Sequence, residues 1–395
     1  MLTFALLISV LVQFGVAWMV RSKINAGFSD FGSLYIGGKI VHSQASDQLY
    51  NVNLQRSIEQ TFKVPEARVK FLPYNHAPFE AILFALLAPL SYPAAFWVFW
   101  AFNVLIAYLV LFLLRPQIPF VDKSLDMAIL AMGVFKPLIV AEGQGQDSVI
   151  TLLLFTLCFL SLLRGRPWIA GAMLGLAMYK PQFSLIMILI LFLTSERRWR
   201  IAGGFILSCI FAAGLSVAAV GWRATVEFPR FVSAFASQFD DARDNAGDMP
   251  NIRGLMLTLF SNHMSHHALV ILIQVISALL LMVTVWALYN RGGLERTLPL
   301  KFSLAAIATL LTAYHGWIHD TTLLLIPLLL VWNFLAGSGL QSWRRRLLGG
   351  CMLVFACGGL LSILSAPVFV CASLVFFVLL LFEVREIEPG AVTVS

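Results

Sequence analysis

The chain reads as an all-α, polytopic membrane protein with about twelve transmembrane helices. Three observations predict this. Of 395 residues, 59% are hydrophobic and 12% charged, against roughly 25% charged in soluble domains, so polar surface is too scarce to cover a water-exposed globule of this size. Apolar runs long enough to cross ~30 Å of hydrocarbon recur along the whole chain, and mean hydropathy is +0.86. The net charge of +7 is spread in short basic clusters between those runs, which fits membrane topology and not a nucleic-acid footprint.

The runs lie near 2–20, 93–114, 124–141, 147–163, 167–179, 182–194, 201–221, 264–288, 300–314, 319–335, 345–363 and 366–382. The first has the length of a signal peptide but lacks a basic lead and an A-x-A cleavage site, so a retained helix is expected. A further apolar stretch, 78–90, is interrupted by Pro78, Glu80 and Pro89. Its crossing decides the topology. The clusters Arg115/Lys123, Arg164/Arg166, Arg197/Arg198/Arg200, Arg291/Arg296/Lys301 and Arg344/Arg345/Arg346 share the cytoplasmic side only if 78–90 re-enters or lies along the outer leaflet. Both ends of the chain then lie inside. The expected organisation is one integral membrane domain, 1–382, with outer loops at 21–92 and 222–262 and a cytoplasmic tail at 383–395. Arg21 and Lys23 fall outside in this scheme, in a long loop where the charge rule is weakest.

In the first loop, Leu54, Ile58 and Phe62 of LQRSIEQTFKVPEARVKF share one helical face and predict an interfacial helix. The second holds the acid-rich FDDARDNAGDMPNIR between expected interfacial helices. The five cysteines, at 158, 209, 351, 357 and 371, sit inside apolar runs without CxxC or zinc spacing. They read as small buried hydrophobes, with no disulfide framework or metal site expected.

With this topology the remaining polar groups converge on the outer side, among them Asp30, Tyr35, Lys39, Asn75, His76, Glu80, Gln144, Gln146, Asp147, Lys180, Arg253, His319 and Asp320. Several stand at span ends, where an unpaired charge costs several kcal/mol. Charges spaced through mid-span would indicate an ion path. Clustering at one face indicates a polar chamber instead.

These residues fall in ordered motifs: SDFGSLYIGGKI at 29–40, QLYN at 48–51, PYNHAPFEAILFALLAPLSYPAAFWVFW at 73–100, EGQGQDS at 142–148, YKPQ at 179–182 and WIHDTTLLLIP at 317–327. In order and spacing the set resembles glycosyltransferase family 87, the polyprenol-phosphate-mannose-dependent alpha-1,2-mannosyltransferases of the GT-C fold, over most of the chain to about residue 330. It departs from the family at NHAPF, 75–79, where many relatives carry a Pro-Pro pair, and this leaves local loop shape and acceptor choice open. The resemblance implies transfer of a sugar from a polyprenyl-phosphate donor to a glycolipid or glycan hydroxyl, on the extracytoplasmic face of the plasma (inner) membrane.

Such a reaction needs a carboxylate to take the acceptor proton, cationic groups for the departing lipid phosphate, and a groove for the isoprenoid. Asp30 matches the family's general base; read by itself, it is equally an N-cap for a short helix. The glycines beside it would let a sugar approach closely, with Tyr35 stacking on it and Lys39 nearby. His319 matches a family histidine near the donor phosphate, oriented by Asp320; the plainer reading is a capping His-Asp pair. Lys180 either meets phosphate as a point charge or snorkels to headgroups. Arg253 is a further phosphate candidate or pairs with Asp240, Asp241, Asp244 or Asp248. Gln144 and Gln146 either bind sugar hydroxyls or satisfy an irregular turn, and Asn75 and His76 join the substrate-binding set. No metal or cofactor is required, because lysine, arginine and histidine can neutralise a singly substituted phosphate. Two rivals remain: a lipid-linked-sugar flippase, which calls for an inverted repeat and mid-span ionisable groups, and a polysaccharide polymerase or ligase.

Overall fold

The computed structural model describes residues 1–27, 29–63, 71–238, 246–289, 297–357 and 366–386. The architecture is all-helical, with no strand among the described residues. Much of the acid-rich loop (239–245), Arg291 and Arg296, residues 64–70 of the interfacial segment and the tail from 387 lie outside the described residues.

The first third of the chain comprises α1 (Leu2–Met19), α2 (Arg21–Asn25), α3 (Phe31–His42), α4 (Val52–Glu59), α5 (Pro78–Ala85) and α6 (Tyr92–Leu114). The middle holds α7 (Pro119–Asp122), α8 (Leu125–Gly133), α9 (Lys136–Gln144), α10 (Ser148–Leu163), α11 (Pro167–Leu176), α12 (Pro181–Thr194) and α13 (Arg198–Gln238). The last part adds α14 (Ile252–Phe260), α15 (His266–Tyr289), α16 (Leu298–Thr312), a 3-10 turn (Ile318–Leu324), α17 (Leu325–Ser338), α18 (Trp343–Cys357) and α19 (Ala366–Glu386).

Among the described residues, six helices are long and apolar enough to cross a membrane, and four more apolar helices run 10–17 residues. The expected crossing at 124–141 is divided: α8 ends at Gly133 and α9 restarts with Pro137 in its first turn, because a proline lacks the N–H that a continuous helix needs. Fewer full-length crossings are therefore seen than the apolar runs predict. The α5 helix has eight residues, about 12 Å of rise, too little to cross ~30 Å. In α13 the axis breaks at Gly221, with φ 78° and ψ 167°, a conformation that only glycine adopts without strain. The break falls where the seventh apolar run ends. Leu54, Ile58 and Phe62 do share a face, packed against the main core.

The helix ends sort into two faces. Leu162, Gly165, Ser195, Arg197 and Leu298 line one cavity, which puts the ends of α10 and α12 beside the start of α16. On the same logic Asn333 Oδ1 accepts from the Phe120 backbone N–H at 2.8 Å. The opposite ends of these helices carry Ser148, Lys180 and the turn after α16, and here the polar groups collect. Lys301, grouped from sequence with the loop arginines, instead lies inside α16 and is buried.

Candidate functional site

Asp30 takes the N-cap position of α3, yet its carboxylate accepts no helix N–H. Its Oδ2 accepts from Gln146 Nε2 at 2.8 Å instead. The capping alternative is thus not realised, and the half-buried carboxylate keeps acceptor capacity. Ser29 Oγ, one residue earlier, donates to the Gln144 carbonyl. The glycines of α3 do not provide room for a sugar: a Cβ on Gly38 would stand 2.4 Å from the Phe84 backbone, and one on Gly37 2.5 Å from the Tyr74 ring. They let α5 and the strand-like segment before it pack onto α3.

The segment 144–148 leaves α9 through Gly145, whose φ of 64° reverses the chain. Alternate side chains then reach separate partners. Gln144 Oε1 lies 2.9 Å from His319 Nδ1, Gln146 reaches Asp30, and Ser148 Oγ donates to Asp320 Oδ1 at 2.9 Å. The Gln146 carbonyl is itself held by Asn103 Nδ2 at 2.9 Å. Three regions far apart in sequence are therefore joined by one five-residue turn.

Behind this turn lies a buried ionic cluster. Lys180 Nζ is 2.7 Å from Asp147 Oδ1 and 2.6 Å from Asp320 Oδ1, and it donates to Ser148 Oγ at 2.7 Å. Ser148 and Asp320 take two of the ammonium's three donors, and Asp147 meets it as an ion pair. Burial alone would favour neutral Lys180, but Asp147 and Asp320 outweigh it and raise the ammonium above its ordinary value. The Asp320 Oδ2 atom accepts from the Trp317 backbone N–H at 3.0 Å, so Asp320 does cap the 3-10 turn. His319 Nε2 stands 3.6 Å from that oxygen, beyond hydrogen-bond length; Gln144, not Asp320, holds the ring.

His76 Nδ1 is 2.9 Å from Glu80 Oε2 and 3.6 Å from Asp147 Oδ2. Burial, then the Asp147 charge, pushes the Glu80 carboxyl well above the ordinary range, and burial lowers His76 despite the acids around it. Donor atoms of His76, Glu80 and Asp147 lie within 4.8 Å of one another, so among the described residues these three could hold a metal ion. Lys180 already supplies a positive charge to Asp147 there.

The other predicted residues lie apart. Tyr35 donates its hydroxyl to the Leu90 carbonyl at 2.8 Å, and Lys39 donates to the Ala88 carbonyl at 3.3 Å. At 3.6 residues per turn these two sit roughly 140° and 180° around α3 from Asp30, which aims them at the turn before α6. Asn75 is half-buried in the loop before α5. Arg253 lies 3.9 Å over the Tyr314 ring, donates to the Tyr314 carbonyl and is 3.3 Å from His315 Nδ1. Of its proposed acid partners, Asp240, Asp241 and Asp244 lie outside the described residues.

The structure thus unites Asp30, Gln144, Gln146, His76, Lys180, His319 and Asp320. To these it adds Asp147, Ser148 and Glu80, to which the sequence reading gave no role in the reaction. The signal for them was present: an acid beside a long apolar run is costly unless a partner meets it. Chemically, the ensemble offers a half-buried carboxylate able to take a proton, an imidazole fixed nearby, and a charged framework behind both.

Comparison with known families finds one match: the glycosyltransferase family 87 model covers residues 74–313, more than half of the chain. The matched span contains His76, Gln144, Gln146, Lys180 and Arg253, while Asp30 and the turn with His319 flank it. No curated protein matches the chain.

Proposed function

The chain belongs to glycosyltransferase family 87, and from that premise we propose that it transfers a sugar, mannose, from a polyprenyl-phosphate donor to a hydroxyl of a glycolipid or glycan acceptor. Transfer occurs at the extracytoplasmic face of the plasma membrane, by a single inverting displacement. Asp30 takes the acceptor proton as the acceptor oxygen bonds to the anomeric carbon. The bond from that carbon to the phosphate oxygen breaks, and polyprenyl phosphate departs with the bonding pair. His319 faces the leaving phosphate. Lys180 acts one step removed, because its ammonium is paired with Asp147 and Asp320 and donates to Asp320 and Ser148.

One observation carries the reading: the Asp30 carboxylate stands where a helix cap would be and caps nothing, held instead by Gln146 at 2.8 Å. A side chain kept from its structural duty at such a position is available for chemistry. Membership of a glycosyltransferase family leaves the flippase reading without a supporting observation. The test is Asp30→Asn in membranes supplied with radiolabelled polyprenyl-phosphate-mannose. Loss of transfer in a normally inserted protein is expected; wild-type turnover would remove Asp30 from the mechanism.

A further inference from the structure

We infer that Gln144 and Gln146 are positioning residues of opposite hydrogen-bond polarity, one acting as acceptor to orient His319 and the other as donor to aim Asp30. The inference rests on the reading of Asp30 as the base.

The geometry is specific. Gln146 meets a carboxylate oxygen at 2.8 Å, and a carboxylate can only accept, so the amide nitrogen of Gln146 is the donor. Gln144 presents its amide oxygen to His319 Nδ1 at 2.9 Å. An amide oxygen can only accept, so Nδ1 carries the hydrogen and Nε2 is left as the ring's acceptor. The two glutamines thus do opposite things one turn residue apart, on either side of Gly145.

The turn itself is stitched to the segment that carries Asp30. Ser29 Oγ holds the Gln144 carbonyl, and a Cβ on Gly145 would stand 2.7 Å from Phe31 Cβ. Asn103 fixes the Gln146 carbonyl from α6. With its backbone anchored on two sides, the turn holds both side chains in one place. Here each amide has one end spent on a candidate reacting group.

The opposite polarity supplies the experiment. Gln→Glu keeps the acceptor oxygen and removes the donor, so the same substitution should be tolerated at one position and not at the other. Gln144→Glu, Gln146→Glu and Gln146→Leu would be assayed as full-length protein in membranes with radiolabelled polyprenyl-phosphate-mannose and endogenous acceptors, with melting temperatures taken for each. Gln144→Glu, which keeps the acceptor oxygen for His319 Nδ1, should lose far less in kcat than Gln146→Glu. Gln146→Glu should lose on the order of 100-fold in kcat at unchanged donor KM, the scale expected for a misplaced reacting group. Gln146→Leu, which introduces no repulsive charge and guards against misfolding, should lose about tenfold in kcat with KM again unchanged. Equal responses of the two Gln→Glu variants, or a rise in KM as the main effect, would overturn the inference. Inactive Asp30→Asn together with fully active Gln146→Glu and Gln146→Leu would sink it alone; active Asp30→Asn would remove it along with the reading beneath.

Discussion

Lys180 and Asp147 form a buried ion pair at 2.7 Å, with Asp320 closing the other side of the ammonium at 2.6 Å. Sequence suggests that this lysine meets a phosphate or the lipid headgroups; its surroundings instead give it the task of neutralising two acids. Removing one partner of a buried pair leaves charge without compensation, at a cost of about 3–5 kcal/mol. Lys180→Met is therefore expected to lower the melting temperature of the detergent-solubilised protein sharply. A direct phosphate contact would do something different: donor KM would rise while the melting temperature stayed at the wild-type value.

Glu80 yields a stability prediction with a definite sign. Burial and the neighbouring Asp147 charge hold its carboxyl well above the ordinary value of 4.5. The folded chain thus keeps this proton at pH values where the unfolded chain has released it. Stability from this group is full below about 4.5 and is lost as pH climbs toward the folded value. Glu80→Gln mimics the neutral form and removes that dependence. His76 contributes the other way: burial lowers it, so stability falls as pH drops through the histidine range, equally in both proteins. The melting-temperature difference, variant minus wild type, should grow with pH. A flat difference across about pH 5 to 8 would show that Glu80 is not held neutral.

The helices were legible in the sequence because apolar length is a one-dimensional property. Pro181 marks a helix restart that the sequence shows, whereas the division of 124–141 at Pro137 was not expected from it. Within the site, Asp30, Gln144, Gln146, Lys180, His319 and Asp320 were legible because each stands at the end of an apolar run on the same face. Two things were not. Tyr35 and Lys39 share a motif with Asp30, but their direction depends on the rotational phase of α3, which a short, evenly apolar helix does not reveal. The partners of Asp147 were equally hidden, since Lys180 and Glu80 meet it only after separate segments fold together. Spacing reports which residues share an element, not which residues from different elements touch.

Gly145 is expected to be intolerant of even one added methyl. Its φ of 64° costs an L-residue about 1–2 kcal/mol, and the new Cβ would press on Phe31 Cβ at 2.7 Å, with Phe96 at 3.0 Å. Phe31 follows Asp30 directly and is fully buried among rings, so it cannot yield without moving the start of α3. Gly145→Ala should lower transfer by more than it lowers thermal stability, because the displaced segment carries the carboxylate. A variant with wild-type turnover would show that the 144–148 turn and the Asp30 segment are mechanically independent.

Alkali-free labelling of single cysteines can place the site relative to the bilayer. The α6 helix, 23 residues long, separates the α5 region from Arg115, and α5 is too short to cross. The site residues Asp147, Lys180 and Asp320 touch one another, so they occupy one face, while Gly165 and Arg197 line a cavity at the opposite ends of α10 and α12. A membrane-impermeant thiol reagent should accordingly reach a cysteine at Gln182 from outside and one at Pro116 only after the membrane is opened. The expectation rests on the lysine and arginine clusters near 115–123, 164–166 and 197–200, which the charge rule assigns to the cytoplasmic side. The exchanged pattern, with Pro116 labelled from outside and Gln182 only after the membrane is opened, would mean that the segment 78–90 crosses after all, and the sidedness of the proposed transfer would have to be reversed.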